Sequence, residues 1–234
     1  MTDNRIMLVS YPRSGQHYTQ RMIERAIGKD DYCPLYACSV PDCPGRGKPV
    51  PEKTPCPGGR RIQKHHDFDL GLRVEDEITY AVLIRYPLNS LMSYYEQEVN
   101  RHKRVPRWAD DGKVSRVEDN EENWLHFLEN RAAFWKEFAT KWRALAERHD
   151  NVRIFRYEEM VWEDATFLDF FRFSFTEDLS EKAHELIAAQ RKSMTQQGRT
   201  VNGRRAPFAY DEKRADARMR QIIAPDLLQA FGYE

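Results

Sequence analysis

Residues 6–18 read IMLVSYPRSGQHY, and the order of chemistry along them decides the fold. Ile6 to Ser10 is a short apolar run. Pro-Arg-Ser-Gly follows at 12–15, and apolar residues then recur at Tyr18, Met22, Ile23, Ala26 and Ile27. The pattern predicts strand, tight loop, helix. Such a junction places free backbone N–H groups and the positive end of a helix dipole at the end of a strand, where phosphate binds well. Arg13 adds a fixed cation, Ser14 can cap the helix or donate to an oxygen, and Gly15 lets backbone approach an anion closely. The loop differs from the lysine-bearing loop of magnesium-dependent nucleoside triphosphatases, because Gln16 and His17 stand where that motif carries Lys and Ser or Thr. A plain helix start with a solvated arginine has the same residues, so the junction is read together with the rest of the chain.

Downstream, residues 32–59 hold seven prolines, four glycines and all four cysteines without periodicity, which predicts an irregular insertion. Ile62 opens a second short strand. Ile78–Ile84 (ITYAVLI) is an apolar, β-rich run of the kind buried on both sheet faces. Pro87 suits the first turn of a helix through Leu88, Leu91, Met92 and Tyr95. A polar loop is expected around Ala109–Glu118. Trp124, Phe127, Leu128, Arg131, Trp135, Phe138, Trp142 and Leu145 then recur at steps of three and four on a long amphipathic helix, whose aromatic stripe reads as core. Val152–Tyr157 is a further strand, and helical patterns resume at 165–171, 181–191 and 211–223. Strands alternating with helices predict an α/β fold, a mainly parallel sheet flanked by helices.

The 234 residues (27.7 kDa) suit one domain, 1–234, with 32–59 as its insertion. Lys plus Arg equals Asp plus Glu at 37 each, which excludes the whole-surface positive field of a nonspecific nucleic-acid or anionic-membrane binder. Any anion site is therefore local. Residues 191–220 carry nine cations against three acids, and 110–122 carry six acids against Lys113 and Arg116. Both runs read as solvated surface unless other anion-binding features converge on them. No run approaches eighteen apolar residues and the first residues lack an export pattern, so a cytoplasmic protein without a membrane span is expected.

A second cluster is IRYPLNSLMSYY (84–95), where Arg85 ends the central strand and Ser93 follows eight residues later. Ligands of open α/β sheets bind at the carboxyl ends of the strands; there Arg85 can grip a phosphate bidentately while Ser93 donates a hydroxyl. Together the two clusters resemble the sulfotransferases that use 3′-phosphoadenosine 5′-phosphosulfate (PAPS). YPRSGQHY resembles that family's 5′-phosphosulfate loop, YPKSGTTW, and Arg85 with Ser93 resembles its 3′-phosphate signature. KHHDF at Lys64–Phe68 is similar to its Lys-Thr-His segment, RYEEM at Arg156–Met160 to its Tyr-Glu-Asp strand end, and GRTVNGRR at Gly198–Arg205 to its C-terminal Arg/Gly loop.

The resemblance implies a P-loop-like fold, no required metal, and transfer of a sulfuryl group from PAPS to an acceptor hydroxyl, or less favourably an amine, leaving adenosine 3′,5′-bisphosphate. It assigns the general base to His66, with His65 and His17 as rivals and Asp67 as a candidate to orient the ring. Imidazole suits that task because its ordinary pKa is about 6.5. It places Lys64 near the sulfonate, Arg13 at the leaving phosphate, and Arg13, Ser14, Gly15, Gln16, His17, Tyr18, Arg85, Ser93, Tyr157, Arg199 and Arg204 around the nucleotide, with Arg205 beside them. Arg13 in place of Lys keeps the charge but offers a planar fork of donors. Gln16, His17 and Tyr18 replace Thr, Thr and Trp, which weakens hydroxyl donation to the phosphosulfate and exchanges the residue expected to stack on the base. Cys33, Cys38, Cys43 and Cys56 follow C-x4-C-x4-C-x12-C, open to free thiols, disulfides or zinc. The insertion, between the donor loop and the base, is expected to shape the acceptor pocket. A P-loop nucleotide kinase and a non-catalytic nucleotide-binding interaction module are the competing readings. The acceptor class and the oligomeric state stay open.

Overall fold

The computed structural model describes residues 5–34, 44, 48, 54–109, 111–175, 179–196 and 208–233. Strand β1 (Arg5–Ser10) turns into α1 (Gln16–Ile27), followed by β2 (Tyr32–Cys33), β3 (Ile62–His65), β4 (Ile78–Ile84) and α2 (Pro87–His102). A hairpin, β5 (Val105–Trp108) and β6 (Val114–Val117), leads into the long α3 (Glu121–Ala146). Then come β7 (Val152–Arg156), α4 (Tyr157–Trp162), α5 (Asp164–Ser174), α6 (Ser180–Gln196), α7 (Glu212–Ile222) and α8 (Pro225–Ala230).

The sheet runs β2-β3-β1-β4-β7 and every neighbouring pair is parallel. Side-chain alternation divides its residues between two cores. Met7, Val9, Tyr80, Val82 and Ile84 pack with α2, α3, α7 and α8, whereas Ile6, Leu8, Ala81, Leu83 and Phe155 pack with α1, α5 and α6. Both faces being covered is why β4 reads as seven consecutive buried residues. The stripe on α3 is core: Trp124, Phe127, Leu128, Trp135, Phe138 and Trp142 are completely buried.

Chain order around β1 locates the site. From β1 the chain moves out to β2, returns as β3 against one flank of β1, and then crosses to β4 on the other flank. This reversal of winding opens a crevice at the carboxyl ends of the strands. The β1–α1 turn and the ends of β3 and β4 all lie there.

Several expectations change. The stretch 109–118 is no plain loop: β6 pairs antiparallel with β5 around Asp111-Gly112, where Gly112 has φ 77°. Its alternation is invisible in the sequence because Val114, Ser115 and Arg116 are all exposed, so no face of β6 needed to be apolar. Tyr32–Cys33, inside the stretch read as irregular, forms the edge strand β2 by pairing with Ile62 and Gln63. Tyr157 begins α4 and does not end β7. The last helix, α8, lacks a sequence signal beyond Pro225 at its first turn.

Cys33 is buried and Cys56 is a buried free thiol; Cys38, Cys43 and most of the insertion lie outside the described residues. Arg199, Arg204 and Arg205 also lie outside them. Among the described residues no group of three or more His, Cys, Asp or Glu is placed to hold a metal ion, and no helix is long and apolar enough to cross a membrane. Two cations of the basic run join helices. Arg214 meets Glu121 at 2.8 Å and Arg218 meets Glu129 at 2.7 Å, joining α7 to α3.

Candidate active site

The β1–α1 turn owes its shape to two left-handed residues, Arg13 at φ 68° and Gly15 at φ 92°. Ser14 N–H donates to Tyr11 O at 3.1 Å to close it. The first intrahelical bond of α1 is Thr19 N–H to Gly15 O, so the first amides of α1 have no intrahelical acceptor. Gly15 is required on two counts. Besides its φ, a Cβ there would lie 2.1 Å from Tyr157 Cδ2.

Tyr157, at the start of α4, presents its ring to both clusters at once. Its far face receives the Arg85 guanidinium, 4.8 Å from the ring centroid, and Arg85 Nη1 donates to Arg13 O at 3.4 Å. Arg13 Nε in turn donates to Ser93 Oγ at 3.0 Å. The β1–α1 turn and the Arg85/Ser93 pair, 72 and 80 residues apart in sequence, are therefore in direct contact. Arg13 and Ser93 also line a groove of about 560 Å³ that continues along α2 past Glu96, Gln97, Asn100 and Arg101.

His66 reaches the same crevice by register. Val9 pairs with His65 across β1 and β3, so the next residues, Ser10 and His66, are neighbours. His66 Nδ1 lies 2.8 Å from Ser10 O and 3.3 Å from Ser10 Oγ. A carbonyl oxygen only accepts, so Nδ1 carries the proton and the neutral ring has its lone pair on Nε2. Burial first, and then the Lys64 ammonium, depress the His66 pKa to about 3. The ring is neutral throughout the physiological range.

Alternation separates the rivals. Lys64 and His66 project to one side of β3, while His65 is buried on the other, its Nδ1 accepting Asp67 N–H at 2.8 Å. Asp67 does not orient His66. Its carboxylate takes Lys141 Nζ at 2.6 Å, Trp142 Nε1 at 3.1 Å and Leu72 N–H at 2.8 Å, and the Ser10 carbonyl does the orienting instead. His17 is exposed at the surface of the first turn of α1, yet the protein around it strips part of its water, and that desolvation, followed by Lys64, Arg13 and Arg21, lowers its pKa. Lys64 is lowered by burial and by Arg13, and Arg13 by burial against a raising contribution from Glu96. Cations thus crowd one end of the sheet at an electrostatic cost that an anion would offset.

Some residues face away from the crevice. Ser14 is fully buried with its hydroxyl 3.3 Å from Ser90 Oγ, and it makes no cap on α1. Gln16 folds inward, donating Nε2 to Leu8 O at 3.0 Å. Tyr18 packs edge-on to Tyr157 and Phe167 and donates to Met160 O at 3.4 Å.

Sequence reasoning passed over Ser10, Glu96 and Glu158. Ser10 acts through a carbonyl, which no side-chain pattern reveals. Glu96 stands three residues after Ser93, on the same helix face, and that spacing was the available signal. Glu158 accepts Tyr86 N–H at 2.9 Å and Tyr233 O–H at 3.2 Å, fixing the entry to α2 directly after Arg85.

No protein-family model matches the sequence, and no curated protein matches it. Among solved structures, the mouse sulfotransferase SULT7A1 complexed with PAP matches with a TM-score of 0.56 and 17% sequence identity, over 98% of this chain and 79% of that one. At that identity the likeness is one of fold, and this chain has the sulfotransferase fold.

Proposed function

We propose that the chain is a single-domain sulfotransferase that moves a sulfuryl group from PAPS to an acceptor hydroxyl. The observation that carries this reading is the contact of Arg13 with both Ser93 and Arg85, which puts two phosphate grips within reach of one nucleotide. The PAP in the structural neighbour is the desulfonated form that the reading requires. When bound, the donor supplies an SO₃ unit on a phosphate leaving group.

In this reading His66 Nε2 takes the acceptor's hydroxyl proton as the new oxygen–sulfur bond forms and the bond from sulfur to the phosphate oxygen breaks. Lys64 neutralises the sulfonate, and Arg13 stabilises the negative charge left on the phosphate. Arg85 and Ser93 hold the 3′-phosphate, Tyr157 walls the nucleotide against Gly15, and the first amides of α1 receive the 5′-phosphate. Lys64 also tunes the base. An anion beside Lys64 cancels the charge that depresses His66, so Nε2 becomes more basic when the donor is in place.

Thermal melts with adenosine 3′,5′-bisphosphate, AMP and ATP, each with and without magnesium, test the assignment. A ligand that binds only the folded form raises the midpoint. The bisphosphate is expected to stabilise well beyond AMP and without magnesium; a magnesium-dependent preference for ATP replaces the assignment with a kinase.

A further inference from the structure

Arg131 on α3 is a cation that the transfer chemistry does not use. Arg131 lies in the aromatic stripe of the helix, half-buried where its stripe neighbours Phe127, Leu128 and Trp135 are fully buried. Its guanidinium sits over the Trp108 ring at 4.1 Å and beside the Tyr94 ring at 5.7 Å. Among the described residues no carboxylate pairs with it, and its Nε is buried without a hydrogen-bond partner. The nearby acid on α2, Glu98, is taken by Arg116 at 2.6 Å. Aromatic faces stabilise a cation only partly; a half-buried guanidinium keeps donors that a carboxylate or other oxyanion satisfies far better.

Two independent chains of contact tie Arg131 to the candidate active site. On one side, Tyr94 follows Ser93, whose hydroxyl accepts from Arg13. On the other, Tyr11 immediately follows Ser10 and donates its hydroxyl to Arg131 O at 3.0 Å. One turn further along α3, Phe134 lies 5.7 Å from Tyr11 and 6.3 Å from Phe68, and Phe68 lies 5.1 Å from the His66 ring. Phe68 is 46% exposed, so an apolar wall leads from His66 toward Arg131 with one side open. We infer that Arg131 binds an anionic group of the acceptor, whose flat apolar body lies along Phe68 and Phe134 with its hydroxyl at His66. The acceptor class is then a hydroxyl compound bearing a carboxylate or comparable oxyanion. This rests on the sulfuryl-transfer reading for the hydroxyl end and on Arg131 alone for the anionic end.

Calorimetric titration of the full chain, with and without saturating adenosine 3′,5′-bisphosphate, separates the two. The probes are 4-hydroxybenzoate and 3-(4-hydroxyphenyl)propionate, each against its methyl ester. With the bisphosphate present, at least one acid is expected to bind about tenfold or more tightly than its ester, the scale of a charge-assisted contact. Arg131→Met is expected to bring that ratio close to one, and Arg131→Lys to leave it between. Because the wild-type ratio is itself a test, a poorly folding variant does not rescue the inference. Acids and esters binding alike, undetectable binding of all four at millimolar concentration, or a ratio that survives in Arg131→Met each overturn it. A ratio that behaves as expected in a protein indifferent to the bisphosphate leaves Arg131 as an anion site and removes sulfuryl transfer.

Discussion

Gly15 shows how little freedom the site leaves at the scale of one residue. Its φ of 92° and the 2.1 Å that would separate an added Cβ from the Tyr157 ring act together, so Gly15→Ala both strains the backbone and drives that ring off Arg85. The backbone part alone costs of order 1–3 kcal/mol. Urea melts are expected to show a loss of that size, and the bisphosphate shift in melting temperature to disappear. Trimming the ring in Gly15→Ala/Tyr157→Ala relieves the clash but not the φ strain, so stability returns in part while binding does not. Full bisphosphate binding by Gly15→Ala sinks the placement of Tyr157 as a wall of the nucleotide site. His66 offers the complementary case, where a backbone carbonyl sets which nitrogen is available. His66→Asn can keep an N–H at the Nδ1 position for Ser10 O but carries no base, so transfer is expected to fall by about two to four orders of magnitude while bisphosphate affinity changes little. Equal loss of both in a bisphosphate titration removes the base assignment.

At the scale of elements, the turn from β7 to α4 holds the start of α2. Glu158 joins Tyr86 N–H to Tyr233 O–H and sits one residue after Tyr157. Glu158→Ala is expected to let the Arg85–Tyr86 corner drift, weakening bisphosphate binding about tenfold and AMP binding much less, because on the proposed assignment Arg85 holds only the 3′-phosphate. Equal weakening of both ligands means that Glu158 supports the fold generally. The elements themselves were legible wherever burial imposed a period. β1, β4 and α3 stand close to their sequence bounds because each buries an apolar face or stripe, whereas α2 starts at the expected Pro87 but runs on to His102. The hairpin β5–β6 was not, because its exposed strand carries no apolar face, and two-residue β2 is too short to show alternation. Within the site, Arg13, Arg85 and Ser93 were legible from their spacing and His66 only through the family resemblance, and the structure brings them to one crevice. The side chains of Ser14 and Gln16 turn inward to Ser90 and Leu8, because a loop sequence does not say which side chains fold beneath it. The role expected of Asp67 failed for a tertiary reason, the arrival of Lys141 and Trp142 from α3.

For the whole molecule, the parallel sheet gathers cationic and neutral imidazole groups at one end and keeps them from full hydration. Burial is the largest cause lowering the pKa of Arg13, Lys64, His65 and His66 alike. That concentration of depressed groups has a stability consequence with a definite sign. His65 and His66 are depressed in the folded chain and return to about 6.5 when it unfolds, so below about pH 6.5 the unfolded state binds more protons than the folded state. Stability is therefore full above about pH 6.5 and declines as pH falls below it, reaching toward about 3 for His66. Carboxylates titrate near 4, so the interval from pH 6.5 to 5 isolates the histidine contribution. Urea midpoints measured across that interval are expected to drop steadily with acidification, and His65→Gln/His66→Gln to flatten the dependence. A wild-type midpoint that stays level or rises toward pH 5 refutes the buried, neutral state of these rings. The same electrostatics link acid to ligand: on the proposed assignment the 5′-phosphate of the bisphosphate settles at Arg13, whose charge also bears on Lys64, and it is expected to offset part of the positive charge that lowers His66 and so to lessen the acid sensitivity. The wild-type midpoint in saturating bisphosphate is accordingly expected to fall less between pH 6.5 and 5 than without it, and an unchanged fall means the anion does not settle beside Lys64.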